Sequence, residues 1–344
     1  MAQPERSVTV AIIEYRPEPE EFGWTFGGLE PVRRVAPGDV LRLWTEDAFG
    51  GHLRSTSSRL STDVPGLLTN PQTGPFHVEG ARPGDTLVLH VLDLRPARTW
   101  GASCAFPGFG GLTSTDLDPS LQDLLPERVW MYDVDAEAGT VTYRALDSDH
   151  QMALPLEPML GTIGVAPARG EVRSSLVPDR HGGNLDVPAV RPGTTVYLGV
   201  NVEGALFSVG DGHYRQGEGE LCGSGVEGAL WVDLVVDLLP GVPTAGPRLE
   251  TDDSLIAVGS ARPLDAAWRI AHLDLVRWVA DRTGLSPMDA YQLVSQVGRS
   301  PIGNVVDPNF TVTAVVDKKY LPGLDEAADG LHQRLRATDL PARP

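Results

Sequence analysis

The chain has 344 residues, 41% hydrophobic and 22% charged, which is ordinary for a protein that buries a substantial interior. A net charge of -18 and a pI near 4.8 provide no basic stripe to neutralise phosphates, so neither nucleic acid nor an anionic membrane is an expected partner. Two cysteines are too few for a disulfide framework, no apolar run nears the roughly 18 residues that span a bilayer, and residues 1–7 are polar, so a cytoplasmic setting is expected.

The 38 glycines and 29 prolines fit short strands joined by many turns. A first strand is predicted over 8–14. One unit then recurs at 35–44, 81–90 and 190–199: a Pro-Gly turn followed by an apolar run that reads as a strand. Residues 116–125, rich in Asp, Leu, Ser and Pro, form an irregular excursion. Further strands are expected at 140–145, 205–209, 229–238 and 311–316. Residues 240–253, rich in Gly, Pro and acids, read as a linker into a helical piece. There Trp268, Ala271, Leu275, Trp278 and Val279 share one helical face, and Gly284 is a suitable stop. Ser286-Pro287-Met288-Asp289 opens a second helix, whose face is Leu293, Val294 and Val297 and whose end is Gly298. The fold class expected is β-rich α+β: packed sheets or a barrel-like body with a small two-helix C-terminal element. The body spans 1–240, the linker, helices and a closing strand 241–325, and a polar, frayed tail 326–344.

Two stretches gather chemistry among glycines: His181-Gly182-Gly183-Asn184-Leu185-Asp186, and Gly210-Asp211-Gly212-His213 running on to Glu218-Gly219-Glu220. Asp211 and His213 are two apart, and Glu218 and Glu220 repeat that spacing. Carboxylate and imidazole suit a divalent ion such as zinc, and a further carboxylate suits the role of base for a water. Taken alone, the same residues fit an acidic glycine loop with His213 hydrogen-bonded to a neighbour, and on the residues both readings stand. Gly182-Gly183 lets a substrate approach main-chain amides, and Asn184 offers a donor and an acceptor. Asp47, in the run that ends at His52, and Glu79 are second-rank candidates beside glycines. Cys222 is a third-rank nucleophile, more ordinarily a small hydrophobe. The only lysines, Lys318 and Lys319, are adjacent and late, which disfavours amidase chemistries that need a catalytic lysine. No convincing Gly-x-Ser-x-Gly strand–turn–helix elbow occurs either.

The run from Asn70 through Gln72, His77, Glu79 and Gly80 to Asp85 resembles the acetamidase/formamidase family. So do Gly182 to Asp186, Ala205 to Ser208, Gly210 to His213 and Gln216 to Glu220. The C-terminal runs Gly284 to Ser286, Asp289 to Tyr291 and Val305 to Pro308 also match, and together the resemblance covers roughly residues 30–322. It implies hydrolysis of formamide or acetamide to ammonia and carboxylate, a β-rich fold with a small helical part, and a homo-oligomer. It carries over onto Asp211, His213 and Glu220, and onto Asn184 and Asp186. Three positions depart from the family pattern: Glu218 where Asp is commoner, His52 where Gln is expected, and His77.

The expectation is therefore a metal- and carboxylate-assisted amidohydrolase acting on a small amide. Asp186, Asp211, His213 and His181 are the candidate ligands, Glu220, Glu218 and His213 the candidate catalytic groups, and Gly183, Asn184 and Glu79 the candidate substrate contacts. The reading set against it is a non-catalytic β-rich protein binding a small ligand or a metal.

Overall fold

The computed structural model describes residues 11–113, 125–321 and 330–338. Two large sheets share one core. The first has nine strands in the order Ile12–Tyr15, Val40–Thr45, Leu230–Leu239, Thr86–Pro96, Thr195–Gly199, Arg248–Glu250, Ser254–Ala261, Phe310–Asp317 and Ile302–Asn304. All three strands that follow the recurring Pro-Gly turn lie in it. The second has ten strands and is centred on Phe207–Arg215, which pairs with Met159–Gly164, Gln72–Val78 and Val226–Glu227. Both sheets have free ends, so the body is a pair of packed open sheets and not a closed barrel.

Period-two alternation explains the layering. Ile256 and Val258 point into the core between the sheets, where they join Leu87, Leu89, Leu234 and Val236 from the same sheet and Phe76, Phe207 and Val209 from the other. Their neighbours Leu255 and Ala257 face the opposite side and meet the helices Leu264–Thr283 and Pro287–Val297 through Ala271, Leu275, Val279 and Val294. A strand buried on both faces carries no polar alternation, and Ser254–Ala261 shows none.

The helix signals act as written. Gly284 takes the left-handed conformation (φ 72°) and donates its N–H to Ala280 O, and Ser286 accepts from the Asp289 N–H. Trp268 is a correction. It is 45% exposed and stacks on His272 outside the apolar face. The expected linker contains a short strand, Arg248–Glu250, paired with Thr195–Tyr197. The tail is not all polar, since Leu331–Arg336 is helical and buries Leu331, His332 and Leu335. Residues 8–10 of the first predicted strand and nearly all of the excursion at 116–125 lie outside the described residues. Among the described residues no helix is long and apolar enough to cross a membrane.

Candidate functional site

The site is built on the strand Phe207–Arg215. Phe207 and Val209 face the inter-sheet core, and strict alternation would place Asp211 and His213 beside them. Instead Asp211 adopts a left-handed φ of 57°, the alternation slips by one residue, and Tyr214 enters the core. Asp211 and His213 are thereby turned to the opposite face. Asp186 and Glu220 also sit at φ 47°, so three carboxylates are presented from backbone that L-residues with side chains rarely adopt.

His213 is the hub. Its Nε2 is 3.3 Å from Asp211 Oδ1 and 3.2 Å from Glu227 Oε2. Ligand atoms of Asp186, His213 and Glu220 lie within 4.8 Å of one another, as do those of Asp211, His213 and Glu227. All five residues are buried. On the far side of the ring, His213 Nδ1 is 2.9 Å from Gln216 Oε1, while Gln216 Nε2 donates to Asp186 O (2.7 Å) and Gly303 O (3.0 Å). Those two donated bonds fix the amide orientation, so Gln216 Oε1 accepts and His213 Nδ1 carries the proton. In the neutral ring, the form that binds an ion, the Nε2 lone pair then faces two carboxylate oxygens. Asp186 Oδ1, Asp211 Oδ1, His213 Nε2 and Glu227 Oε2 are all buried and, among the described residues, make no well-formed hydrogen bond.

Without an ion, the cluster holds protons instead. Burial, reinforced by Glu227 and Asp211 against the opposing pull of His213, pushes Glu220 up to about 8. Glu227 is raised to about 7, again chiefly by burial. Asp186 is raised well above its ordinary value by burial and by Glu220. Burial disfavours the charged form of His213, but Glu227 and Asp211 outweigh it and hold its pKa well above the usual imidazole value, so without an ion a proton on Nε2 lies between the two carboxylates and an ion would take its place. No ion pair among the described residues brings a lysine or arginine to these carboxylates; Lys318 is held by Glu250 at 2.7 Å and Lys319 by Asp317. Several buried carboxylates with only His213 to offset them are costly, and a cation among them removes that cost. The donor set of one imidazole nitrogen and several carboxylate oxygens, in two groups of possible ligands that share His213, fits a divalent ion.

Asn184 sits beside this cluster. Its Oδ1 accepts from Asn70 Nδ2 (2.9 Å) and from the Thr162 hydroxyl, and its Nδ2 donates to Asp307 Oδ2 (2.9 Å). Gly161, opposite Asp211, leaves room for the carboxylates. A Cβ there would lie 2.4 Å from Asp211 Oδ2 and 2.6 Å from Asp186 Oδ1. Gly161→Ala is therefore expected to cost at least the ~1–3 kcal/mol typical of overpacking. Thermal unfolding checks this, and a melting temperature equal to the parent's would show that the two carboxylates are free to move aside.

Several sequence-based candidates do not reach the cluster. Glu218 is exposed and lines a different cleft, because Gly219 and Glu220, both at positive φ, turn the chain between the two acids. Glu79 is exposed on the turn after the strand Gln72–Val78. His181 is buried against the edge of Phe26 and lines a separate cleft; burial and then Arg173 push its pKa down to about 4, and it contributes to neither ligand group. Gly183 lies in the strand Gly182–Asn184 beside the site. Asp47 is a turn anchor whose Oδ1 accepts from the Phe49 and Gly51 N–H groups and whose Oδ2 binds Arg98 at 2.6 Å. Cys222 is exposed and burial raises its thiol pKa, which disfavours a thiolate nucleophile. Sequence reasoning missed Glu227, Asp307, Asn70, Thr162 and the supporting role of Gln216. The one available signal was an acid pressed between apolar residues, Val226-Glu227 and Val306-Asp307.

The sequence profile of the acetamidase/formamidase family matches residues 24–174 and 168–319. Among solved structures, an acetamidase from Yersinia enterocolitica superposes with a TM-score of 0.85 at 38% identity, covering 92% of this chain and 94% of that one. An acetamidase from Bacillus halodurans gives a TM-score of 0.80 at 32% identity, with 91% and 99% covered. The acetamidase of Mycolicibacterium smegmatis is 28% identical over 288 residues, 68% of this chain and 69% of that protein. The profile match runs through the site strands as well as the helices, and the chain belongs to the acetamidase/formamidase family.

Proposed function

We propose that the chain hydrolyses the C–N bond of short aliphatic amides, formamide and acetamide among them, to ammonia and the carboxylate. The observation that carries the reading is the pair of buried ligand groups that share His213: Asp186 and Glu220 on one side, Asp211 and Glu227 on the other. Asp186, Asp211, His213 and Glu227 would hold a divalent ion, for which zinc suits the donors. Such an ion supplies polarisation of the amide carbonyl and a lowered pKa for a water.

The chain's own groups account for the proton traffic. Glu220, buried in the cluster, takes a proton from the attacking water as the new C–O bond forms. It returns that proton to the nitrogen as the C–N bond breaks, because an amide nitrogen must be protonated to leave. Asn184, pinned at both ends of its side-chain amide by Asn70, Thr162 and Asp307, is a rigid orienting group for the substrate.

Ammonia release from formamide and acetamide, measured before and after chelation and again after adding back zinc or manganese, tests both parts. Activity lost on chelation and restored by the ion supports the reading. Full activity in demonstrably ion-free protein removes the ion, and ion-loaded protein that releases ammonia from no amide removes the hydrolase.

A further inference from the structure

We propose that this site prefers primary amides with an acyl group of about four carbons or more over formamide and acetamide, a preference that rests on the amide-hydrolase reading of the same site. The carboxylate cluster opens onto one cavity of about 190 Å³, which Asn184, Asp211, Glu220, Glu227 and Asp307 line at its polar end. The rest of its wall includes Phe49, Leu60, Leu67, Phe106, Phe109 and Leu176. One water needs roughly 10–15 Å³ of such space, so the cavity has room well beyond the four heavy atoms of acetamide. Formamide has no carbon beyond its carbonyl to bury against this wall, and acetamide has one methyl group.

The wall is built to hold its shape. Phe49 and Leu60 belong to a small separate core with Leu53, Val64, Cys104 and Val129. Phe49 is fixed from below by Asp47, which accepts its N–H at 2.8 Å and is itself clamped by Arg98 at 2.6 Å. That clamp gives the Asp47-to-Gly51 turn a purpose that the carboxylate cluster does not supply. Phe106 and Phe109 are held together by a turn in which the Phe109 N–H donates to Phe106 O at 3.0 Å. A rigid apolar wall favours apolar surface on the substrate without an ordering cost at binding.

The tail is assigned to the acyl side. Beyond the ion ligands the polar end presents Glu220 and Asp307, whose carboxyl oxygens accept from the N–H groups of a primary amide, and a nitrogen substituent removes one of those donors.

The test is kcat/KM, read as carboxylate formed by the ion-loaded full chain, for formamide, acetamide, butyramide, hexanamide, benzamide and N-butylacetamide. The expected result is a rise of about fourfold per methylene from acetamide to hexanamide, with N-butylacetamide poor. Leu176→Trp, which fills the cavity, is expected to lower the hexanamide-to-acetamide ratio of kcat/KM at least tenfold; the ratio is indifferent to the fraction of protein folded. A series that is flat or falls beyond acetamide overturns the acyl pocket while leaving amide hydrolysis standing. N-butylacetamide outrunning hexanamide overturns the assignment of the tail to the acyl side. Hydrolysis of none of these amides overturns this preference together with the reading it rests on.

Discussion

Glu220→Gln is expected to lower ammonia release from acetamide by about 10²–10⁴-fold, the usual worth of a positioned acid–base group, while the ion-free protein becomes more stable. The two effects have one cause. Glu220 is a buried carboxyl whose pKa is raised from 4.5 to about 8 by burial and by Glu227 and Asp211. Between those values the unfolded chain has released the proton and the folded chain keeps it, so the folded state loses stability as pH climbs from 4.5 towards 8. Glutamine has the same shape and never ionises, so the stabilisation it brings to ion-free protein grows across that window. Melting temperatures of parent and variant, taken after chelation at pH 5 and pH 8, should separate more at pH 8. A group that mattered only for folding would behave oppositely: the variant would melt earlier and keep its rate. Activity within a few-fold of the parent would remove Glu220 from the proton path.

The parts of this architecture that sequence made legible are those where a local rule settles the outcome. A Pro-Gly turn followed by alternating apolar residues becomes a strand wherever it recurs, at Val40–Thr45, Thr86–Pro96 and Thr195–Gly199. Ser286 and Gly284 cap their helices through bonds to residues three or four positions away. Asp186, Asp211, His213 and Glu220 were recognisable because glycines crowd them, and glycine is what such close packing requires at Gly161.

The rest depends on contacts that no local rule carries. Glu218 and Glu220 look equivalent on paper, yet positive φ at Gly219 and Glu220 sends the two carboxylates to different clefts. His181 stands five residues before Asp186 but is turned towards Phe26. Glu227 is brought to His213 by antiparallel pairing of Val226–Glu227 with Phe207–Arg215, a register set by the whole sheet. Asp307 reaches Asn184 from a chain distance of 123 residues.

Gln216 is where ion binding can be separated from the structural worth of a buried side chain. Its Nε2 donates to two carbonyls, Asp186 O and Gly303 O, so its Oε1 holds the His213 Nδ1 proton and leaves Nε2 as a lone pair in the cradle. Gln216→Leu keeps the bulk of the side chain and removes both functions. The imidazole is then free to rotate or to move its proton to Nε2, where it opposes a cation. Ion affinity is expected to fall about 10–100-fold, measured by competition with a chromophoric chelator. Because Gln216 does not line the substrate cavity, kcat should return towards the parent value once the ion is saturating. A variant that is merely misfolded would not recover with added ion. A variant that binds the ion as tightly as the parent would show that the proton position on His213 is set by something other than Gln216, and that the four unsatisfied atoms need another explanation.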